Sequence, residues 1–350
     1  MEIMKEAALN IEEFHLKQCR ENWFIDRADG SKLGQLYLPV DSAGVYVPGG
    51  KAAYPSSVLM NIIPARCAGV GSIYVASPAV DGKMNPSTLV AADIAGAGTI
   101  FKIGGAQAVA ALAYGTQSVP KVDKITGPGN IYVALAKKTL YGVVGIDMIA
   151  GPSEVLVIAD DDANPRYVAA DFLSQAEHDE LAACILLTNS AQMAEKVIAE
   201  IEAQAQKLER SAIIEASLNN YGTVIVCDNL NECVELSNTI APEHLELCVR
   251  EPEELLKLVR NAGSIFLGEY SPEPLGDYFA GTNHVLPTNG TARFSSPLNV
   301  DDFQKKSSVL YYSREAFEKV ADKVAGFARA EGLTAHARSA ELRIEIDKKG

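Results

Sequence analysis

Histidine is scarce in this sequence, and four of its five copies lie in strings rich in acidic or amide side chains. The strings are SQAEHDE (174–180), APEHLE (241–246), GDYFAGTNH (276–284) and EGLTAHARSAELR (331–343). Imidazole nitrogen and carboxylate oxygen both bind zinc, and an imidazole whose pKa is near neutral can take up a proton at physiological pH. These strings therefore indicate a metal site, an acid–base site, or both.

The first string favours a metal site at the end of a helix. Gln175 and His178 are three residues apart, so they share one helical face. A carboxylate and a second imidazole from elsewhere would complete an N/O site, with the glutamine carbonyl as the weaker ligand. The alternative is that His178 is an ordinary histidine at a helix C-terminus, where the helix dipole favours it.

The second string contains two adjacent residues that suit different chemical roles. Glu243 and His244 are adjacent, so in an extended segment they point to opposite sides. The imidazole suits proton abstraction, and the carboxylate suits activation of water. A loop with two ordinary polar residues remains the alternative.

The last two strings add a carboxylate and two imidazoles. Asp277 could be a metal ligand and His284 could hydrogen-bond a polar substrate, although aspartate is also common in turns. His336 is predicted in the first turns of a helix, five residues after Glu331, where an exposed position is the alternative. On these residues alone, a metal-assisted hydrolase fits as well as any other metal enzyme.

The glycine strings do not form a dinucleotide fingerprint. The spacing G-x-G-x-x-G is absent, as are the GxSxG, P-loop and HExxH motifs and any cysteine-rich metal spacing. GGAQA and GPGN could still place backbone N–H groups at strand ends, which suits a phosphate, or they could be plain glycine turns.

The elements that must position these residues follow a βαβ rhythm. After a helix predicted over 2–22, short apolar runs alternate with helical segments to about residue 298, which predicts two α/β units with mostly parallel sheets that meet near residue 150. Ligands of such units bind at the carboxyl ends of strands, where we expect the polar strings to lie. Two helices are predicted over 313–328 and 333–343. The predicted domains are 1–44, 45–150, 151–298 and 299–350, namely a helical lead, two α/β units and a helical tail.

Composition narrows the class of protein. The 350 residues carry a formal net charge of −14, which argues against nucleic-acid binding. The six cysteines are scattered, so a reduced, cytoplasmic protein is expected. No apolar stretch approaches the roughly 20 residues that span a membrane, and the acidic N-terminal helix does not look like a signal peptide.

Taken in order, several long strings resemble the histidinol dehydrogenase family. They are VYVPGG, GGAQAVAALAYGTQSVPKVDKITGPGN, AGPSEVLVIAD, DFLSQAEH, APEHLEL, SPEPLGDYFAGTNHVLPT and LTAHARSAELR. The resemblance implies a homodimer with two incomplete Rossmann-like domains, a helical lead and a helical tail. It also implies zinc-dependent oxidation of L-histidinol to L-histidine through the aldehyde, with two NAD, as the last steps of histidine biosynthesis.

The resemblance also assigns roles to residues of this chain. The implied zinc ligands are Gln175, His178, Asp277 and His336. The implied catalytic pair is Glu243 and His244, and the implied NAD contacts are Tyr46, Gln107 and Asn130. The implied histidinol contacts are Ser153, His284 and Glu331, together with His244 and the four zinc ligands.

Three further expectations follow from the resemblance. The tail with Glu331 and His336 is similar to the segment that reaches the partner subunit's site, so each active site is expected to be shared between two chains. The chain looks like a short family member, because relatives usually begin with further helices. Asp179 and Glu180 stand where the family often has Gly-Pro. The alternatives are a related dehydrogenase of another small alcohol, such as sulfopropanediol, and a truncated, non-catalytic zinc-binding protein.

Overall fold

The structure is a computed structural model that describes residues 1–49 and 54–345, the last of these for its backbone alone. The chain divides into two compact units. The main unit comprises Met1–Cys19 and Val40–Phe303, and the second unit comprises Arg20–Pro39 and Gln304–Gly350. In the part of the chain that the structure describes, no helix is both long and apolar enough to cross a membrane.

The N-terminal segment is less helical than the sequence predicted. Helix α1 (Glu2–Leu16) ends well before residue 22, and strands β1 (Trp23–Asp26) and β2 (Lys32–Pro39) then pair antiparallel. The missed signal is the Asp29-Gly30 turn between them. Gly30 has φ +81, and the Asp29 carboxylate accepts the Ser31 N–H at 2.9 Å. Such Asp-Gly pairs are typical of hairpins.

The first sheet of the main unit is entirely parallel, as predicted. Its strands are β3 (Ser42–Tyr46), β4 (Ser72–Ala76), β5 (Thr99–Phe101), β6 (Lys124–Thr126) and β7 (Gly145–Ile146), in the order β5-β4-β3-β6-β7. The helices between them are α2 (Pro55–Cys67), α3 (Pro86–Ala95), α4 (Gly105–Tyr114) and α5 (Ile131–Leu140). Asn85 and Asn130 cap the N-termini of α3 and α5 with their side chains.

The second sheet repeats the same strand order. Its parallel strands are β8 (Glu154–Ala159), β9 (Ala183–Thr188), β10 (Gly222–Val226), β11 (His244–Cys248) and β12 (Ser264–Leu267), in the order β10-β9-β8-β11-β12. The accompanying helices are α6 (Pro165–Ala176), α7 (Ala191–Ala205), α8 (Ser211–Tyr221), α9 (Leu230–Ile240), α10 (Pro252–Leu256) and α11 (Glu273–Tyr278). Both sheets have the order of the first five strands of a doubly wound fold, so the predicted pair of Rossmann-like units is confirmed.

The C-terminal part of the second unit contains a strand that the sequence did not predict. Strand β13 (Gln304–Tyr311) pairs antiparallel with β2 and completes a three-stranded sheet. The helices α12 (Arg314–Glu318), α13 (Ala321–Ala330) and α14 (Thr334–Glu345) follow, close to the two predicted helices. The four predicted domains stay a prediction.

The polar strings lie at opposite edges of the two sheets. In the first sheet, Tyr46 ends β3 and the string TGPGN follows β6, at the carboxyl edge as expected. In the second sheet, AGPSE and APEHLE instead precede their strands, and Glu154 and His244 are the first residues of β8 and β11. The expected carboxyl-edge position is therefore wrong for these two strings, whereas GDYFAGTNH does follow β12. The strings have apolar segments on both sides, so their sequence does not tell whether they end a strand or begin one.

Candidate functional site

The backbone of Glu154 organises the amino edge of the second sheet. Because β8 and β11 are neighbours, Glu154 lies beside the Glu243-His244 pair. The Glu154 N–H donates to the Glu243 carboxylate at 2.8 Å, and the Glu154 carbonyl lies 2.9 Å from Nδ1 of His244. One residue at the start of β8 therefore fixes both members of the predicted catalytic pair.

The contact with Glu154 fixes the proton of His244. A carbonyl oxygen only accepts hydrogen bonds, so Nδ1 of His244 carries the hydrogen and Nε2 of the neutral ring has a free lone pair. Burial lowers the pKa of His244, which favours that neutral form. Nε2 is buried and has no hydrogen-bond partner among the described residues. This nitrogen is consequently free to accept a proton or to bind a ligand.

Glu243 is a buried carboxyl group with one oxygen 3.7 Å from Nδ1 of His244, so the two adjacent side chains lie close together and not on opposite sides as the extended segment predicted. Besides the Glu154 N–H, it accepts a hydrogen bond from the side chain of Ser153. Burial raises its pKa well above the usual value, and the nearby carboxylates of Glu154 and Asp277 raise it further. A carboxyl group with a raised pKa suits general acid–base work close to neutral pH.

Helix α11 brings two acidic side chains to the free nitrogen of His244. Glu273 and Asp277 are one turn apart, and a carboxylate oxygen of each lies 4.0 Å from Nε2 of His244. Within the described residues, His244, Glu273 and Asp277 form a group whose ligand atoms all lie within 4.8 Å of one another. Sequence reasoning missed Glu273, although its i, i+4 spacing to Asp277 on a short helix was available as a signal.

The start of α11 is capped from β11. The N-cap residue Pro272 provides no side-chain cap, and the Glu273 N–H donates instead to the Glu246 carboxyl group at 3.0 Å. Burial raises the pKa of Glu246, and the nearby side chain of Asp171 on α6 raises it further. Glu246 thus ties together α6, β11 and α11, the three elements that position this site.

Gln175, at the end of α6, is completely buried in the same cluster. Its amide is assigned with the nitrogen toward Glu273, because the opposite orientation would place oxygen against a carboxylate. The nitrogen then donates to both Glu273 oxygens, at 2.8 and 3.2 Å, and the oxygen, at 2.7 Å, shares the Glu154 N–H with the Glu243 carboxylate. The amide oxygen keeps a second lone pair that could face a metal ion.

His178 and His284 approach the cluster from two different segments. The positive charge of each, when protonated, lowers the pKa of His244, so both lie within electrostatic range of it. His178 follows α6, where its N–H donates to the Gln175 carbonyl at 3.1 Å. Nε2 of His284 is buried and without a hydrogen-bond partner among the described residues. Neighbouring Asn283 anchors that loop, because its side chain donates to the Met60 carbonyl at 2.8 Å.

The cluster fits a divalent cation. Burial raises the pKa of Glu273 well above the usual value, and the charges of Asp277, Glu243 and Asp171 raise it further. A cation would relieve this repulsion, and the free imidazole nitrogens of His244 and His284 are donors that zinc accepts. Of the four predicted zinc ligands, Asp277 belongs to the group around His244, and Gln175 and His178 lie close to it. The exact ligand set stays a prediction.

The three predicted NAD contacts lie together at the carboxyl edge of the first sheet. The hydroxyl of Tyr46 accepts the Gly105 N–H at 3.0 Å, which ties the end of β3 to the start of α4. Gln107 is exposed in the first turn of α4, and Asn130 is exposed where it caps α5. Two helix N-termini thus meet at this edge, which suits a phosphate-bearing cofactor.

The remaining two predicted residues belong to the second unit. Glu331 caps the C-terminus of α13, and His336 lies in the first turn of α14, both exposed in this chain. The cluster of the main unit is described without them, so their roles stay predictions. The fifth histidine, His15, is completely buried in α1, where Nδ1 lies 2.7 Å from the Ile11 carbonyl, in agreement with a structural role.

Comparisons with known proteins agree with one another. The model of the family described as histidinol dehydrogenase matches residues 1–344. The histidinol dehydrogenase of Bacillus subtilis is 59% identical over 344 residues, which cover 98% of this chain and 81% of that protein. That of Caldanaerobacter subterraneus is 60% identical over 347 residues, 99% of this chain and 80% of that protein. The crystal structure of histidinol dehydrogenase from Elizabethkingia anophelis superposes with a TM-score of 0.95 at 40% identity, covering 99% of this chain and 80% of that one.

The family of the relatives agrees with the geometry of the site. The matched residues include the whole main unit, with Glu243, His244 and Asp277 in one buried cluster, as well as most of the second unit. The relatives are matched over about four fifths of their length. The chain belongs to the histidinol dehydrogenase family.

Proposed function

We propose that this chain oxidises L-histidinol to L-histidine through the aldehyde, with NAD as hydride acceptor and zinc as the metal. The observation that carries the proposal is the free Nε2 of His244, which is fixed by Glu154 in a cluster with Glu243 and Asp277. Family membership supports the substrate, because the relatives are histidinol dehydrogenases. The reaction class is therefore an alcohol oxidation followed by an aldehyde oxidation.

In the first oxidation, His244 would act as the base. Its neutral ring has the lone pair on Nε2, which takes the hydroxyl proton of histidinol while hydride leaves the carbinol carbon. The imidazolium so formed has the Asp277 carboxylate 4.0 Å away, and this carboxylate stabilises its charge. Nδ1 keeps its bond to Glu154 throughout, so the ring does not rotate.

In the second oxidation, Glu243 would act on water. A water attacks the aldehyde carbon and loses a proton to the Glu243 carboxylate, while the imidazolium of His244 returns its proton to the former carbonyl oxygen, and a tetrahedral diol results. His244, again neutral, takes the proton from that diol as the second hydride leaves. The two side chains lie close together, each held by the backbone of Glu154, which would allow both steps at one bound substrate.

The cofactor would accept the hydride and the metal would orient the substrate, two functions that the side chains do not provide. NAD, when bound, accepts the hydride, and Tyr46, Gln107 and Asn130 would hold it at the first sheet. Zinc, when bound, orients the amine and imidazole nitrogens of histidinol, and Gln175, His178, Asp277 and His336 would hold it. Ser153, His284 and Glu331 would contact the substrate. In a homodimer, the partner chain would supply His336 and Glu331 to this site. A cytoplasmic location stays a prediction.

The decisive experiment measures NADH and product together. Purified protein with zinc and NAD should form two NADH and one histidine for each histidinol consumed, and a chelator should abolish the reaction until zinc is restored. Sulfopropanediol is the matched alternative substrate. NADH from sulfopropanediol and none from histidinol would contradict the proposed substrate, and a turnover that is unchanged after complete removal of the metal would contradict the role of zinc.

A further inference from the structure

We propose that Lys137 and Asp147 are positioning residues for the cofactor, a buried ion pair that clamps the Gly127 peptide in the geometry that the NAD edge needs. The inference rests on the proposed role of Tyr46 and Asn130 in holding NAD. Lys137 lies on α5, and Asp147 follows β7. Neither residue belongs to the amino-edge cluster, and sequence reasoning singled out neither of them.

The clamp holds both polar groups of one glycine. The Gly127 N–H donates to Oδ2 of Asp147 at 2.8 Å, and Nζ of Lys137 donates to the Gly127 carbonyl at 3.0 Å. The ammonium of Lys137 also pairs with the other oxygen of Asp147. The two side chains are only 3% and 1% exposed, so solvent screens the pair very little.

The backbone at Gly127 explains why a clamp is useful there. Its φ of +108 lies in the left-handed region, and a Cβ built on it would meet the Tyr46 carbonyl at 2.1 Å. This close approach joins the end of β3 to the end of β6. Tyr46 lies on one side of the contact, and Asn130 follows three residues later on the other. A shift of the Gly127 peptide would therefore change the spacing of two proposed NAD contacts.

The chemistry of the pair suits an anionic cofactor. A buried ion pair is a poor route to stability, since well-packed apolar residues often serve as well or better. The pair instead fixes the orientation of the Gly127 peptide, because the Asp147 carboxylate accepts its N–H and the Lys137 ammonium donates to its carbonyl. Its charges cancel, so it orders the loop without adding a net negative charge near the phosphates of NAD.

The test removes both charges together. Lys137→Met/Asp147→Leu keeps the interior apolar and leaves the Gly127 peptide unclamped. Asp147→Asn keeps one oxygen that can accept the Gly127 N–H, but it leaves the buried Lys137 ammonium without its anion. Lys138→Met is the matched control, since it removes an exposed lysine from the same helix. NAD binding is measured by isothermal titration calorimetry of the zinc-loaded protein, and folding is measured by thermal unfolding.

For the double variant, we expect the Kd for NAD to rise by about tenfold or more, equivalent to about 1.4 kcal/mol. The KM for NAD should rise in parallel, while the KM for histidinol and kcat at saturating NAD stay within about threefold. Asp147→Asn should weaken NAD binding less, and Lys138→Met should not change it.

The experiment also separates a failure of the proposed clamp from a failure of the proposed function. A folded double variant with wild-type affinity for NAD would overturn the clamp and leave the pair a structural feature only. If the double variant does not fold, Asp147→Asn decides: an unchanged Kd, or an equal rise in the KM values of both substrates, would overturn the positioning role. Failure of the unmodified protein to bind NAD would instead contradict the proposed function itself.

Discussion

Replacing His244 by two different amides separates its chemical role from its structural one. In His244→Asn, the amide nitrogen takes the place of Nδ1 and keeps the hydrogen bond to the Glu154 carbonyl, but Nε2 is lost. In His244→Gln, the amide reaches the place of Nε2, and the donor to Glu154 is lost. Both variants lose the same ring packing against Phe266, whose centroid lies 6.0 Å away, so their difference isolates the hydrogen bond.

The expected magnitudes follow from these contacts. A positioned base contributes about 100- to 10,000-fold to rate, so kcat should fall by that factor in both variants, which is about 2.7–5.4 kcal/mol of barrier. In His244→Gln, the buried Glu154 carbonyl has no donor, at a cost of about 1–3 kcal/mol. His244→Asn should therefore be more stable than His244→Gln by that amount, although the two are equally inactive.

The assay combines NADH formation at saturating substrates with urea unfolding at neutral pH. His15→Asn is the control for a buried histidine outside the site, because it should lower the free energy of unfolding and leave kcat of the folded protein unchanged. If His244→Asn keeps kcat within about threefold, His244 is not the base. If the two variants at position 244 are equally stable, Nδ1 does not provide the bond that fixes the ring.

Three further predictions concern the surroundings of this residue. Burial raises the pKa of Asp171 from 3.8 to about 6. The stability that its protonated form contributes is therefore complete below about pH 4 and is lost as pH rises through 6. In urea unfolding, the free energy of unfolding of Asp171→Asn should equal that of wild type at pH 4 and exceed it at pH 7. Glu246→Leu removes the cap of Glu273 and should lower kcat about tenfold, whereas Glu246→Gln keeps an acceptor and should not; equal rates in both would exclude the capping role. Mixing inactive His336→Ala and His244→Asn chains should restore about a quarter of wild-type activity if sites are shared, and none if each chain is self-sufficient.

The sequence was sufficient to predict both parallel sheets, because their strands, apart from the two-residue edge strand β7, are short apolar runs that end in small or polar residues. It was not sufficient for β2 and β13, which pair with each other across most of the chain. Their exposed, mixed sequences lack the continuous apolar pattern of a buried strand. Pairing between segments so far apart in the chain depends on the tertiary structure, and the local pattern of apolar residues does not predict it.

For the site, sequence patterns identified the histidine strings but not the groups that hold them. Glu154, Glu246 and Glu273 lie in strand and helix segments where a glutamate is an ordinary surface residue. Their importance comes from burial and from contacts with residues 21 to 98 positions away. Spacing along the chain can suggest a ligand, but only the fold shows which backbone group orients it.

The opposite edges of the two sheets place a geometric demand on the reaction. The proposed NAD contacts lie at the carboxyl edge of the first sheet, and the proposed base His244 and the acidic cluster lie at the amino edge of the second. Hydride transfer requires reacting atoms about 3–3.5 Å apart. The carboxyl edge of one sheet must therefore face the amino edge of the other when both substrates are bound. The proposed reaction thus uses one edge of each sheet, the carboxyl edge of the first for NAD and the amino edge of the second for His244.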